Sequence, residues 1–453
     1  MSLYRDCNTM DKTTKYRRPF DWRIGHGNVT NATASAAFAR LFTSDYPALL
    51  EDLLEMSRRR RQNRIVLAKL QVWMLEELLV QESAVKHYRE KKESLQKQPP
   101  DQPLDEIKKQ LAFVEEQLFF HRAYANCIRI IGDGIAWRSL GYDRLVMKSL
   151  AGSATKPHVS SEGTVQEMRE WSLQFDSGQG VAILNSLTNC LAIGDVTVVK
   201  NDGTVEIVEV KAGNTKSSRI VRQKQKMRDV VTFLSSGSGV IEGKFVEVER
   251  LDIVPENGLS ELEELLKESE TNGWAAKRIS NCLYVECVDF RKAASAESIN
   301  PLLDEKKNTE IGDWKERGDI VMVMSSLDLL SYAPNCAPFS IFPFDPGICV
   351  GLMVGAQSYA VSFNFTAVQR EFQYRGWSIE KSFEEQMEAE EKESMLVVKK
   401  DGHEVQVPPE ELIRVWMELM RVSVVIKLCE FRKGPTNEGY SYTVYDGEPA
   451  IWD

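Results

Sequence analysis

Two runs rich in β-branched residues, 193–200 and 204–211, flank the tripeptide Asn201-Asp202-Gly203. Branched side chains favour strands, because they pack well on a pleated surface. A glycine accepts the left-handed conformation that closes a three-residue hairpin loop. The pattern therefore predicts a β-hairpin with its tip at residues 201–203, which is the strongest local constraint on the fold of this chain.

The loop length determines which residues lie opposite each other in this hairpin. If Lys200 pairs with Thr204, then Asp195 falls opposite Glu209. Lys211 follows two residues later on the same face, because side chains alternate along a strand. A two-residue loop would instead place the two acids on opposite faces of the sheet.

Two carboxylates this close repel each other unless a cation lies between them. The carboxylates of Asp195 and Glu209, with the main-chain carbonyl of Val210, form a donor set that suits Mg²⁺ or Mn²⁺ better than zinc. Lys211 would then orient or deprotonate a water and stabilise charge that develops on a phosphodiester. The alternative is a surface hairpin in which Glu209 and Lys211 are ordinary cross-strand charges.

With an acid at the start of one strand and an acid-x-Lys sequence on the next, residues 160–255 resemble the PD-(D/E)XK nuclease superfamily. The resemblance implies an α/β fold with a restriction-endonuclease-like core, in which helices flank a mixed sheet. It also implies that Asp195, Glu209 and Lys211 are catalytic. The core strands are then expected at 181–187, 191–200, 204–211 and 245–253.

The helix after the hairpin adds polar residues to the expected site. Residues 216–228 hold six basic residues and no acid, a cationic strip on a chain of net charge -10. Ser217 or Ser218 is the predicted N-cap, and the resemblance implies that Gln223 or Arg222 enters the active site. The residues expected to contact nucleic acid are Arg219, Arg222 and Lys226. The buried stripe of this helix is predicted at Ile220, Met227, Val231 and Leu234.

Members of the superfamily often supply a further acid from the first core helix. Glu167, in a helix predicted at 164–173, is expected to be this catalytic residue, with Glu162 and Asp133 as alternatives. Each of them could equally be a solvated helix residue. Asp133 lies in an apolar stretch, so it requires a buried partner, and a structural salt bridge would satisfy it as well.

The length of 453 residues exceeds what a single hydrophobic core usually spans. Three prolines within residues 99–103 interrupt two stretches of helical periodicity, which predicts an antiparallel helical hairpin. The four consecutive arginines at 58–61 are interpreted as a solvated helix face or as a phosphate-contacting ridge. The predicted domains are an N-terminal arm at 1–43, the helical hairpin at 44–150, the nuclease core at 151–256 and a C-terminal α+β domain of unknown role at 257–453.

Composition excludes several classes of protein. The net charge of -10 argues against a protein that coats nucleic acid over its whole surface. The eight cysteines contain no Cys-x-x-Cys pair, which disfavours a zinc site, and Cys190 and Cys282 are predicted to be reduced core residues. No run is apolar enough for a membrane helix, so a cytoplasmic protein is expected. A Ser-His-Asp hydrolase is disfavoured because no Gly-x-Ser-x-Gly sequence is present.

The predicted function is therefore a metal-dependent nuclease that hydrolyses phosphodiester bonds, with DNA favoured as substrate and Mg²⁺ or Mn²⁺ as cofactor. The chain is similar in organisation to endonucleases of bacterial anti-phage and mobile-element systems. Its expected partners are nucleic acid and either a second copy of the chain or a partner protein of a defence system. The alternative is a catalytically inactive nucleic-acid-binding or scaffold subunit, which would have no electrostatic reason to keep two opposed carboxylates.

Overall fold

The computed structural model describes residues 45–59, 64–97, 103–151, 161–210, 218–241, 244–251, 256–292, 296–326, 337–382, 396–407, 409–431 and 440–445. These residues form a mixed α/β structure. The helices are α1 Tyr46–Arg59, α2 Arg64–Gln96, α3 Leu104–Ser139, α4 Arg144–Ala151, α5 Ser161–Asp176, α6 Ser218–Ser236, α7 Leu259–Asn272, α8 Ala296–Glu316, α9 Pro346–Met353, α10 Phe365–Tyr374, α11 Pro409–Met417 and α12 Val422–Phe431.

The strands are β1 Gly180–Leu184, β2 Val196–Lys200, β3 Val205–Val208, β4 Ser238–Ile241, β5 Lys244–Leu251, β6 Trp274–Arg278, β7 Leu283–Asp289, β8 Val321–Ser325, β9 Gln357–Asn364, β10 Ser378–Lys381, β11 Leu396–Lys400, β12 His403–Val407 and β13 Tyr440–Tyr445. Short 3₁₀ turns occur at Asn185–Leu187 and Phe339–Ile341. Among the described helices, none is long and apolar enough to cross a bilayer.

The chain divides into two compact units. Unit A contains the described parts of 26–254, 332–356 and 435–453, and unit B contains those of 255–331 and 357–434. The segment 332–356 comes from the middle of the C-terminal half, yet it belongs to the same unit as the N-terminal helices.

The predicted helical hairpin is confirmed in unit A. Helices α2 and α3 pack against each other as antiparallel neighbours. Lys92 near the end of α2 pairs with Glu115 near the start of α3 at 2.8 Å, and Glu82 pairs with Arg129 further along the two helices. The hairpin buries apolar residues from both helices.

Arg58, the first of the four consecutive arginines, has a structural role that neither interpretation of the run anticipated. It is half-buried, and its guanidinium donates to the carbonyl oxygens of Phe344 at 2.5 Å and Phe342 at 2.7 Å. It also contacts the Cys349 sulfur at 3.1 Å. Arg64 donates to the carbonyl of Phe175. Residues 60–63 lie outside the described residues.

Replacing Arg58 with Met is expected to lower the free energy of unfolding of unit A by about 2 kcal/mol, because it leaves two carbonyl acceptors in a buried segment without their donor. Arg89→Met on the exposed face of α2 is the control and is expected to change little. Urea unfolding followed by far-UV circular dichroism compares the two variants. If the two variants unfold at the same urea concentration, the assigned role of Arg58 is wrong.

The sheet β1-β2-β3 of unit A is antiparallel. Along the chain, its strands follow helix α5 and precede helix α6. Helix α5 packs on β1 and β2, and α6 packs on β3 and β4. The strands are shorter than predicted: the first ends at Leu184, where the turn Asn185–Leu187 begins, and the second starts only at Val196. The order helix, three strands, helix is as expected, but two strands, β4 and β5, follow where one was expected.

The predicted fourth core strand exists but joins a different sheet. β5 lies where 245–253 was expected, and it pairs antiparallel with β4 and parallel with β13. In the described residues, β5 therefore does not extend the sheet β1-β2-β3. The resemblance to the superfamily implied a strand here, but its partner β13 lies almost two hundred residues later in the chain.

Unit B contains the antiparallel sheet β6-β7-β9-β8 and the smaller sheet β10-β11-β12. The apolar runs 282–290 and 320–324 are typical of buried strands, and they correspond to β7 and β8. The sequence also predicts helices at 259–270 and 410–420, which correspond to α7 and α11. The acidic stretch 380–393 predicts a further helix, but residues 380 and 381 belong to strand β10. The rest of that prediction, from residue 383 onward, lies outside the described residues.

Candidate active site

The hairpin β2-β3 has the predicted register. The ladder runs from the pair Val199 and Val205 near the tip to the pair Val196 and Val208 at the open end. At the tip, the Lys200 N–H donates to the Thr204 carbonyl at 2.8 Å, and the loop glycine has a φ of 84°. The three-residue loop is confirmed. Continued by one residue, this register would pair Asp195 with Glu209, but the ladder ends at the pair Val196 and Val208, and the Asp195 N–H donates to the Val208 carbonyl.

Asp195 directly precedes β2, where the pairing with β3 becomes irregular. Its N–H donates to the Val208 carbonyl at 2.8 Å, and its carboxylate accepts the N–H of Val210 at 2.6 Å. Gly194 precedes it with a φ of 75°. A Cβ on Gly194 would approach a side-chain carbon of Ile207 to 2.4 Å, so only glycine fits here without a shift. The Asp195 side chain thereby reaches across to the end of β3.

Asn185, in the turn after β1, holds the backbone around Asp195. Its side-chain amide donates to the carbonyls of Ile193 at 2.9 Å and Gly194 at 3.1 Å. Its main-chain N–H donates to the Asp195 carbonyl at 3.0 Å, and its amide oxygen accepts from the Thr197 hydroxyl at 2.9 Å. Asn185 is 1% exposed, and it contacts three consecutive carbonyl groups.

Helix α5 brings Glu167 to the same place. Trp171 lies one helical turn after Glu167, on the same face, and its indole N–H donates to the Ala182 carbonyl of β1 at 3.0 Å. Glu167 is half-buried. Burial raises the pKa of Glu167, and the nearby charge of Asp195 raises it further, whereas the Ser186 hydroxyl opposes the rise. The predicted acid from the first core helix therefore lies within electrostatic reach of Asp195.

The local electrostatics suit a small cation. Burial raises the pKa of Asp195, and the hydrogen bond from Val210 opposes this rise. Among the described residues, neither Asp195 nor Glu167 forms an ion pair with lysine or arginine. Carboxylate oxygens near an irregular strand end are donors that Mg²⁺ and Mn²⁺ accept. The described side chains alone do not form a complete metal site, because they contain no group of three acids, histidines or cysteines placed to hold a metal ion.

The remaining predicted site residues are only partly described. Glu209 and Val210 are half-buried and follow β3 directly. Lys211 lies outside the described residues. The backbones of Arg219, Arg222, Gln223 and Lys226 belong to α6, which packs on β3, but their side chains are not described.

Helix α6 begins at Ser218, one of the two residues predicted as its N-cap. Its buried stripe differs from the prediction. Among the residues of this helix whose side chains are described, Val230 and Phe233 are buried, at 2% and 1% exposure, whereas Met227, Val231 and Leu234 are only half-buried. The side chain of Ile220 lies outside the described part. The buried face of α6 is displaced by about one residue from the predicted face. The strands against which the helix packs decide which of its sides is buried.

Asp133, an alternative for the first-helix acid, has a structural role instead. Its carboxylate accepts from the N–H of Asn189 at 2.5 Å, the N–H of Cys190 at 2.9 Å and the Asn189 side-chain amide at 2.9 Å. Burial raises the pKa of Asp133, and these hydrogen bonds oppose the rise. Asp133 thus anchors the loop before β2. These hydrogen bonds, rather than a salt bridge, satisfy its buried carboxylate. The side chain of Glu162 is not described.

Sequence analysis missed Asn185 and Ser186. It assigned both to the first strand, because they follow the apolar run Val181 to Leu184. Two adjacent polar residues after such a run are a turn signal that could have ended the strand earlier. The predicted core cysteines, in contrast, are confirmed: Cys190 and Cys282 are buried and unpaired.

Comparison of the chain with family models, with curated proteins and with solved structures finds no match in any of the three. What is known of other proteins therefore neither supports nor opposes a function for the site.

Proposed function

We propose that unit A is a metal-dependent nuclease of the PD-(D/E)XK type, built on a restriction-endonuclease-like core, that hydrolyses phosphodiester bonds in nucleic acid. The observation that carries the proposal is the hydrogen bond from the Val210 N–H to the Asp195 carboxylate at 2.6 Å, which brings this acid to the segment that contains Glu209 and Val210. The proximity of Glu167 to Asp195 supports it, since the superfamily pattern expects an acid from this helix.

In this proposal, Asp195 and Glu209, with the carbonyl of Val210, hold Mg²⁺ or Mn²⁺. When bound, the ion neutralises charge on the phosphate and on the leaving oxygen. Lys211, two residues after Glu209, orients the attacking water and stabilises the charge on the phosphodiester. Glu167 accepts a hydrogen bond from a water on the opposite side of Asp195, which favours one orientation of that water.

The substrate contacts come from α6. Arg219, Arg222 and Lys226 bind backbone phosphates, and Gln223 contacts the reacting group. These residues lie in a segment with six basic residues and no acid, although the whole chain has a net charge of -10. A local cationic strip attracts phosphate while the rest of the surface repels it, which restricts binding to the site. We favour DNA as substrate and a role in anti-phage defence.

The test is a cleavage assay with the full chain on linear duplex DNA, circular duplex DNA and single-stranded RNA, each with Mg²⁺, Mn²⁺ or EDTA. Cutting is expected only with metal and is expected to fall at least about 10³-fold in Asp195→Asn, because loss of a metal-binding charge removes several kcal/mol of transition-state stabilisation.

Glu206→Gln is the matched control for Asp195→Asn. Glu206 is an acid on the same hairpin, but its carboxylate is half-exposed and pairs with Lys200 at 3.0 Å. The control is expected to cut like the wild type. Equal cutting by Asp195→Asn and Glu206→Gln would falsify the proposed site. If the chain binds DNA on a sizing column but cuts no substrate, the alternative of an inactive binding subunit is correct.

A further inference from the structure

Two arginines face each other across one side of the helical hairpin. On this side, Glu82 of α2 forms an ion pair with Arg129 of α3. Seven residues closer to the tip of the hairpin, which is about two helical turns on each helix, the corresponding residues are Arg89 and Arg122. An ion pair is therefore followed by two like charges at equivalent positions of the antiparallel helices. Arg89 and Arg122 are called the arginine pair below.

The charged residues around the arginine pair leave it without a neutralising acid. Further towards the tip, Glu115 is already paired with Lys92 at 2.8 Å. Lys86 and Glu93, one turn to either side of Arg89 on α2, cancel each other in charge. Among the described residues, neither member of the arginine pair forms a salt bridge. The two positive charges of the pair therefore remain available to an anion.

The pKa of Arg122 agrees with this arrangement. Partial burial of its guanidinium lowers the pKa, and the charge of Arg89 lowers it further. Two cations that are close together destabilise each other unless an anion lies near them. Both residues are exposed, so an anion can reach them from solvent.

The arginine pair lies on the side of the hairpin that holds the proposed active site. Arg122 precedes Asp133 by eleven residues, or about three turns, so both lie on nearly the same face of α3. Asp133 accepts the N–H groups of the loop that leads to Asp195. On α2, eighteen residues, or five turns, separate Arg89 from Gln71, whose amide group bonds to β1. The same faces of both helices therefore carry the arginine pair and support the sheet of the site.

We propose that the arginine pair binds the phosphate backbone of nucleic acid that extends from the active site along the hairpin. The proposal rests on the proposed function, which brings nucleic acid to this side of the hairpin and so favours it over an acidic protein. The distance from Asp133 to Arg122 along α3 is about 16 Å, which corresponds to about five base pairs of a duplex.

The chemistry of the pair suits a backbone contact. A guanidinium group can donate two parallel hydrogen bonds to one phosphate. The contact reads no base, so it adds affinity without sequence preference. It also lies outside the reacting group, so it strengthens binding of substrate and transition state alike and leaves kcat unchanged.

The test measures binding of labelled duplex DNA by fluorescence anisotropy, with the full chain in EDTA so that no cutting occurs. The double variant Arg89→Gln/Arg122→Gln is expected to raise the Kd about 10-fold at low salt and to reduce the slope of log K against log salt by about 2. Its urea midpoint is expected to stay the same or to rise, because two like charges are removed. A pair with a merely structural role would lower the midpoint.

Lys91→Gln/Lys109→Gln is the matched control. These exposed lysines lie on the same two helices, and the variant removes the same number of charges. Lys91 is two residues after Arg89 and Lys109 is thirteen residues before Arg122, which turns both away from the arginine pair. The control is expected to keep the wild-type Kd. Equal weakening in both double variants would mean that only the net charge of the chain matters, and the proposal would be wrong.

Competition experiments distinguish the sources of the anion. Unlabelled DNA, poly-glutamate and inorganic phosphate each compete with the labelled duplex, at equal concentrations of negative charge. Unlabelled DNA is expected to be the strongest competitor. If poly-glutamate or inorganic phosphate displaces the duplex more strongly, the pair serves an acidic protein or a free anion, and the proposal is wrong.

The same variants separate this proposal from the nuclease proposal. If the wild type cuts DNA and the arginine double variant binds it equally well, the arginine pair is not a contact and the nuclease proposal stands. If the wild type binds DNA and the arginine double variant binds it weakly, but no substrate is cut, the contact stands and the nuclease proposal fails. If the wild type binds no nucleic acid, both proposals fail.

Discussion

Glu209→Gln is expected to abolish cleavage and to weaken Mn²⁺ binding sharply, whereas Lys211→Ala is expected to abolish cleavage and leave Mn²⁺ binding intact. The two residues are two positions apart in the sequence. Glutamine keeps the shape of Glu209 but removes the charge that neutralises the cation. Lys211 supplies no metal ligand, and its loss removes a positive charge that repels the ion, so affinity stays the same or rises.

Mn²⁺ is titrated into each variant by calorimetry beside the cleavage assay. Glu206→Gln again serves as control, since this acid lies on β3, three residues before Glu209 and away from the proposed metal. Equal loss of Mn²⁺ binding in both variants would mean that Lys211 acts through folding of the strand end. Wild-type cutting by both variants would place the active site elsewhere in the chain.

Gly132→Ala is expected to destabilise unit A by about 3 kcal/mol, at the upper end of the usual effect of overpacking a buried site. A Cβ at Gly132 would lie 2.0 Å from the carbonyl oxygen of Leu187. That oxygen belongs to the backbone of the turn Asn185–Leu187, which hydrogen bonds from Gln71 and Asp133 hold on both sides. The turn cannot move away without breaking them, so helix α3 has to shift instead.

Gly312→Ala is the matched control with the opposite sign. Gly312 also lies inside a helix, α8, but an added Cβ would meet no atom within 4 Å. Alanine there is expected to stabilise unit B by about 0.5 to 1 kcal/mol, because it lowers the backbone entropy of the unfolded chain. Urea unfolding compares both variants with the wild type. If Gly132→Ala is as stable as the wild type, the close packing of α3 on the turn is wrong.

The Gly132→Ala variant also tests whether the packing of α3 on the turn affects Mn²⁺ binding at the proposed site. If Gly132→Ala remains folded at low temperature, the displaced turn is expected to weaken Mn²⁺ binding, because Asn185 in this turn holds the carbonyls of Ile193, Gly194 and Asp195. The helical hairpin would then determine the geometry of the acids from a distance, through packing rather than through a residue in the site. Unchanged Mn²⁺ affinity in a folded Gly132→Ala variant would separate the hairpin from the site.

Local features of the candidate site were predictable from the sequence. The loop Asn201-Asp202-Gly203 determines the register of the hairpin, because a turn and its two strands involve only neighbouring residues. The proline-rich break between α2 and α3 predicts the helical hairpin for the same reason. The choice of Glu167 came from a family pattern, and its proximity to Asp195 agrees with that choice.

Other features required the tertiary structure, because they depend on residues far apart in the chain. The apolar neighbours of Asp133 in the sequence indicated that its carboxylate needs a buried hydrogen-bond or ion-pair partner. Only the packing of α3 brings that carboxylate to the N–H groups of Asn189 and Cys190. The partner of β5 is β13, and the partners of Arg58 are carbonyls almost three hundred residues later. By itself, the sequence determined the elements with short-range hydrogen bonds and their register. The tertiary structure decided which elements share a sheet and which buried polar groups meet, because those contacts form only when distant segments exclude water together.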